Sequence, residues 1–102
     1  MSTLSKRIRE ARLRTGLSQE RLGIRIGIDP ASARARMNRY ELGKRVPDLE
    51  LVERLAEELD LPAAYFHAVR DDEAELLVKF HRLSDAAREQ VMVFLSEAFV
   101  AP

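Results

Sequence analysis

Helix-breaking residues divide the first two thirds of this chain into short segments. Gly16, Gly27 and Gly43 each follow a stretch in which apolar residues recur at every third or fourth position, the period of an α-helix. Glycine suits the left-handed conformation in which many helices end, and Pro47 and Pro62 mark two further restarts. A chain divided in this way is predicted to fold as short helices that pack against one another.

Capping residues define where these helices begin. Ser18 is suited to cap the second helix, and Asp29-Pro30 supplies a cap followed by proline at the first position of the third. Strand-like alternation over four or more residues does not occur outside stretches interrupted by arginine. The predicted fold class is all-α, with helices at about residues 3–15, 18–26 and 30–42, a fourth after Pro47, a short fifth at 61–66, and about two more in a C-terminal extension.

Basic residues are concentrated in the first half of the chain and acidic residues in the second half, although the chain as a whole is neutral. Residues 1–47 hold twelve Lys or Arg and four Asp or Glu, a net charge of +8; residues 48–102 hold five and thirteen, a net charge of −8. Clustered cations displace counterions from phosphates, so the first half is predicted to meet a polyanion. Arginine-rich helices also occur on ordinary solvated surfaces, and the charge pattern alone leaves that alternative open.

Three segments resemble the Cro/repressor family of DNA-binding domains, which have the lambda-repressor-like fold. They are LSQERLGIRIGI at residues 17–28, NRYELGKRVP at 38–47 and LPAAYF at 61–66, within a similarity that covers about residues 4–66. The resemblance implies a five-helix helix-turn-helix domain in which helix two crosses the DNA backbone and helix three lies in the major groove. It also implies that Ser18 and Gln19, at the start of helix two, bind phosphate.

Two features depart from the family pattern. Gly23 stands where the family more often has alanine, which costs about 1 kcal/mol of helix propensity but preserves a close approach between helices two and three. Between Ile28 and Tyr40 the chain has about four extra residues, roughly one helical turn. Either helix three is longer at its N-terminal end or the turn before it bulges.

Helical geometry predicts which side of helix three faces DNA. With Ala33, Met37 and Tyr40 toward the core, the opposite side can read bases, because arginine matches guanine, asparagine matches adenine and alanine can touch a thymine methyl. Residues just past Gly43 are expected to lie on phosphate and to position the domain. The predicted DNA-binding residues are Ser18, Gln19, Ser32, Arg34, Ala35, Arg36, Asn38, Arg39, Lys44 and Arg45, with Asn38 and Arg39 as the main base readers.

Enzymatic and metal-binding functions have no support in the sequence. His67 and His81 belong to no HExxH, phosphate-loop or Ser-His-Asp arrangement, and the acidic cluster at 71–75 lacks the spacing of a calcium loop. The chain has no cysteine, no signal-like apolar segment at its start and no run of about 18 apolar residues. We therefore predict a cytoplasmic, non-enzymatic protein that binds double-stranded DNA and has no cofactor, metal site or membrane segment.

The last third of the chain is predicted to join two subunits. Leu76, Leu77, Phe80 and Leu83 form one apolar stripe, and residues 91–95 are apolar on more than one face, which predicts a helix buried on two sides. One side is expected to rest on the five-helix domain and the other on a second copy. The predicted dimerisation residues are Leu77, Phe80, Val91, Phe94, Leu95 and Ala98.

The predicted organisation is a DNA-binding domain at residues 1–68 and a dimerising extension at 69–102. The simplest function is that of a dimeric repressor on a palindromic operator. Three alternatives stay open: the last helix closes the core of a monomer, the acidic C-terminal helices of an antitoxin also bind a toxin partner, or a protein-interaction adaptor keeps the fold without the DNA. The basic face of helix three argues against the adaptor.

Overall fold

The computed structural model describes residues 2–98, and every regular element in that range is helical. The elements are α1 (Thr3–Thr15), α2 (Gln19–Arg25), α3 (Pro30–Glu41), α4 (Leu49–Glu58), a 3-10 helix (Ala63–His67), α5 (Asp71–His81) and α6 (Asp85–Ala98). The predicted all-α fold, a five-helix unit followed by two helices, is confirmed. No helix among the described residues is long and apolar enough to cross a membrane.

Local chemistry sets the ends of these helices. The Ser18 hydroxyl accepts a hydrogen bond from the Arg21 N–H at 3.1 Å, and the Asp29 carboxylate accepts one from the Ala31 N–H at 2.9 Å. Each cap satisfies a backbone donor that the first helical turn leaves without a partner. Gly27 ends the α2 segment with a φ of 93°, a value that residues with a Cβ rarely adopt.

A single hydrophobic core joins the first five helices and α5. Its side chains are almost completely shielded from solvent. Burying each of their methylene groups stabilises the fold by roughly 0.8 kcal/mol. Ala74 and Val78 of α5 belong to the same core, which therefore extends past residue 68. The largest fully buried apolar side chains are Ile8, Leu22, Met37, Tyr40, Leu55, Tyr65 and Phe66.

Helices α2 and α3 pack closely at Gly23. A Cβ placed there would lie 2.9 Å from the Ala33 Cβ and 3.0 Å from the Met37 Cγ. Helix α3 runs without interruption from Pro30, directly after its cap, to Glu41. The segment that follows Asp29 is therefore part of α3 itself, which favours a helix longer at its N-terminal end over a bulged turn.

We expect Gly23→Ala to destabilise the protein, although alanine is the better helix former. The gain in helix propensity is about 1 kcal/mol, whereas crowding of a packed core costs about 1 to 3 kcal/mol. The added Cβ would also lie 3.1 Å from the Ala33 carbonyl oxygen, which is backbone and cannot rotate away. A urea unfolding curve measures the difference, and a higher midpoint in the variant would show that α2 and α3 can move apart without loss.

The extension differs from its sequence prediction. On α5 the buried residues are Ala74 and Val78, whereas Leu76 is 49% exposed. Helix α6 was expected to be buried on two sides, one of them on the five-helix domain. The first of these contacts is not formed, since no residue of α6 is buried against the five-helix domain; burial against a second copy stays a prediction. Because none of its residues is buried, the described part of α6 does not close the core of a monomer.

Arg88 of α6 binds the end of α5. Arg88 donates hydrogen bonds to the carbonyl oxygens of Phe80 at 3.1 Å and His81 at 2.6 Å, and its guanidinium lies 5.4 Å from the centre of the Phe80 ring. These carbonyls belong to the last turn of α5, where helix carbonyls have no partner within the helix. The molecule is accordingly elongated, with extents of 54 × 27 × 23 Å.

A buried arginine joins α1 to the start of α5. Arg7 donates to the carbonyl oxygens of Ala68 at 2.9 Å and Val69 at 3.3 Å, and it forms ion pairs of 3.0 Å with Glu10 and Asp71. Hydrogen bonds from Lys6 and then Arg7 hold the pKa of Asp71 below its usual value. The junction at residues 68–71 is thus fixed to the five-helix unit.

Candidate nucleic-acid interface

Helices α2 and α3 form the two arms of a helix-turn-helix. The turn between them is closed by a hydrogen bond from the Ile28 N–H to the Gly23 carbonyl at 2.9 Å, and Gly27 supplies the left-handed residue. Ala33 and Met37 lie on the inner face of α3 with no exposed surface, as the helical spacing predicted. The close α2–α3 contact therefore fixes which side of α3 points outward.

The outward side of α3 is polar and basic. Arg34, Ala35, Asn38 and Arg39 are exposed, and Ser32 is half-buried at the edge of this surface. Within residues 2–98, neither Arg34 nor Arg39 forms an ion pair. Both guanidinium groups are consequently available to phosphates or to guanine edges.

Gln19 links α2 to this surface. Its amide nitrogen donates to the Asn38 Oδ1 at 3.2 Å, which leaves the Asn38 amide nitrogen to donate elsewhere. Gln19, Arg34, Ala35 and Asn38 line one open cleft together with Ala31. Ser18 lies next to it, with its hydroxyl oxygen engaged as the α2 cap. The structure therefore brings the start of α2 and the middle of α3 onto one surface.

Arg36 lies away from that surface. Its guanidinium donates to the Tyr40 hydroxyl at 2.6 Å and lies 5.7 Å from the centre of the Tyr40 ring, and the side chain is half-buried. The sequence placed Arg36 beside the base-reading residues; in the structure its guanidinium is held by Tyr40, and a contact with DNA stays a prediction. Position 36 borders the buried stripe of α3, where the arginine stem can pack on the tyrosine.

The loop after α3 supplies two exposed cations. Lys44 and Arg45 follow Gly43, whose φ of 74° ends the helix, and the Lys44 N–H donates to the Arg39 carbonyl at 2.9 Å. The Arg45 guanidinium lies 6.0 Å from the centre of the Tyr40 ring. Both residues therefore lie at the C-terminal end of α3, where they can contact the DNA backbone beside the groove.

A buried ion pair holds α1 against α3. Arg12 donates to both carboxylate oxygens of Glu41, at 2.7 and 2.9 Å, and to the Leu17 carbonyl at 3.0 Å. The Glu41 side chain is 3% exposed, and its hydrogen bonds raise the pKa of Arg12 above the usual value. Arg7 and Arg12 are thus structural cations, although the sequence counted them with the basic charges that meet DNA.

Two residues near the site were not among those predicted from the sequence. Ala31 lines the cleft with Arg34 and Ala35, and Arg9 of α1 lines a neighbouring cleft with Gln19 and Asn38. Helical spacing could have identified Arg9, because this residue lies one turn before Arg12 on the same side of α1.

The predicted dimerisation residues lie in two different settings. Leu77 packs partly against the core, and Phe80 is half-buried beneath Arg88. Val91 is half-buried, whereas Phe94 is 67% and Leu95 is 42% exposed. Ala98, the last described residue, is exposed. The α6 residues therefore form an apolar stripe that the described chain leaves mostly exposed, with only Val91 half-buried.

Comparisons with known proteins agree with this geometry. The family described as "Helix-turn-helix domain" matches residues 3–69. The crystal structure of the transcriptional regulator BswR is 36% identical in sequence and superposes with a TM-score of 0.86, over 91% of this chain and 92% of that one. No curated protein sequence matches significantly. The chain belongs to the helix-turn-helix family, as its resemblance to the Cro/repressor domains predicted.

Proposed function

We propose that this protein is a transcriptional regulator that binds a palindromic operator in double-stranded DNA as a homodimer and represses by occupying the promoter. The observation that carries the proposal is the exposed α3 surface of Arg34, Ala35, Asn38 and Arg39, with Gln19 bonded to Asn38. Likeness to the transcriptional regulator BswR supports it. A bacterial-type regulator of this kind acts in the cytoplasm, where the DNA is.

The division of labour that we propose is DNA binding by residues 1–68 and dimerisation by residues 69–102, of which 99–102 lie outside the described residues. A lone helix-turn-helix contacts few base pairs, whereas two copies about 34 Å apart read two half-sites on one face of the duplex. The stripe of exposed Phe94 and Leu95 beside half-buried Val91 supports this pairing, because burying an exposed side chain of this kind contributes up to about 1.5 to 3 kcal/mol.

Base reading can be tested at Asn38 and Arg39 after the operator has been identified from bound genomic fragments. Each alanine variant is expected to lose about 1 to 3 kcal/mol of affinity for the operator, because a base contact is removed. Binding of Asn38→Ala to scrambled DNA should hardly change, since asparagine carries no charge. Competition titrations with operator and scrambled duplexes measure both quantities.

Lys44→Ala is the matched control for phosphate binding. It should weaken operator and scrambled DNA alike and lower the salt dependence of binding by about one unit, because it removes one phosphate contact. Full discrimination between operator and scrambled DNA in both the Asn38 and Arg39 variants would contradict the proposed orientation of α3.

A further inference from the structure

Arg9 of α1 is an exposed cation beside the proposed DNA-reading surface. Within residues 2–98 it takes part in no ion pair and no side-chain hydrogen bond, unlike Arg7, Arg12 and Arg14 on the same helix. It lines a cleft whose other residues are Arg12, Gln19, Asn38, Glu41 and Leu42. The residue therefore lies where α1, α2 and α3 meet.

The cleft has no acid free to neutralise Arg9. Glu41 is its one lining carboxylate among the described residues, and both Glu41 oxygens accept hydrogen bonds from Arg12. An arginine without a carboxylate partner, at a solvent-open cleft, is suited to bind an anion. A phosphate oxygen is such an anion, and guanidinium groups bind phosphate in a bidentate manner.

The Arg9 cleft is continuous with the surface already described. Gln19 and Asn38 line both this cleft and the one that contains Arg34 and Ala35, so the two share a wall. A duplex seated on Asn38 would bring its backbone past the neighbouring cleft on the α1 side. Arg9 therefore lies on a continuation of the proposed DNA-reading surface, and among the described residues its positive charge has no carboxylate partner.

We infer that Arg9 binds a backbone phosphate of the operator, so that α1 extends the DNA interface beyond the helix-turn-helix. The inference rests on the proposed function and adds a phosphate contact outside α2, α3 and the loop that follows them. Because the contact is to phosphate, it contributes affinity without sequence preference.

The test uses the full chain and a mixed-sequence duplex of about 30 base pairs, three helical turns, followed by fluorescence anisotropy. Removing one phosphate contact lowers the slope of log affinity against log salt by about 0.9. Between about 50 and 200 mM salt, the wild-type affinity should thus fall by an additional factor of roughly 3.5 compared with that of Arg9→Ala. Arg9→Lys, which keeps the charge, should retain the wild-type slope.

Arg14→Ala is the matched control, because it removes the same charge from the same helix but from a residue paired with Glu10 at 3.2 Å. It should leave the slope unchanged. An unchanged slope in Arg9→Ala, or an equal loss in Arg14→Ala, would overturn the inference while leaving the proposed function in place. Absence of salt-dependent DNA binding by the wild-type chain would overturn the proposed function, and this inference with it. Circular dichroism verifies that each variant is folded.

Discussion

Glu41→Gln is expected to destabilise the fold by about 3 to 5 kcal/mol, because it leaves the Arg12 guanidinium buried without its countercharge. The Arg12 side chain is only 13% exposed, so water can replace little of the lost interaction. With a typical urea dependence of about 1 to 3 kcal/mol per molar, the unfolding midpoint should fall by roughly 2 M. Chemical unfolding followed by circular dichroism measures this change.

Two further variants test whether the loss of stability comes from leaving the Arg12 charge buried without a partner. Replacing both partners with apolar residues, Arg12→Met with Glu41→Leu, should recover much of the lost stability, since no charge then remains buried. Lys79→Ala breaks the exposed Lys79–Glu75 pair and should change the midpoint little. If Glu41→Gln lost no more stability than Lys79→Ala, the Arg12–Glu41 pair would not be what holds α1 against α3.

Phe94→Asp is expected to convert the proposed dimer into a folded monomer. Phe94 is 67% exposed in the single chain, so aspartate costs little there, whereas in a dimer interface it would bury an uncompensated charge. A cost of about 3 kcal/mol corresponds to roughly a 100-fold weaker dimer. Sedimentation velocity at micromolar concentration measures the assembly, and loss of cooperative operator binding should accompany it.

The control for this prediction is Leu49→Asp, which places the same charge on an exposed leucine of the DNA-binding unit. It should stay dimeric. A chain ending after Leu83 removes α6 but keeps Ala74 and Val78 in the core, so it should fold and sediment as a monomer. A dimer that survives Phe94→Asp, or dissociates in Leu49→Asp, would place the contact within the DNA-binding unit and leave the α6 stripe to another partner.

Much of the fold could be predicted because its signals are local. Ser18 and Asp29 cap helices with their own side chains, and Gly27 can adopt a positive φ whatever surrounds it. The spacing of Ala33 and Met37 likewise identified the inner face of α3. Family membership also confirms the prediction that the protein is not an enzyme, which had rested on the lack of any catalytic arrangement around His67 and His81.

The extension was harder to predict because apolar residues lay on several faces of its helices. The stripe through Leu76 and Phe80 resembles a buried face, yet the core takes Ala74 and Val78. Periodicity shows that a helix has an apolar side but not which neighbour can reach it. Helix α6 turns away from the core after residue 84, and that direction depends on contacts such as those of Arg88 with the end of α5.

The sequence by itself determined the helices, their caps and the helix-turn-helix family, since each depends on residues close together in the chain. Only the tertiary structure decided what each arginine does. Arg7 and Arg12 meet carboxylates or carbonyls 29 or more positions away, whereas Arg9 and Arg39 find no such partner within residues 2–98. Arginines at similar spacings along the chain are thus either buried with a partner or exposed. The reason is that a charge can be buried only where the fold brings it a partner.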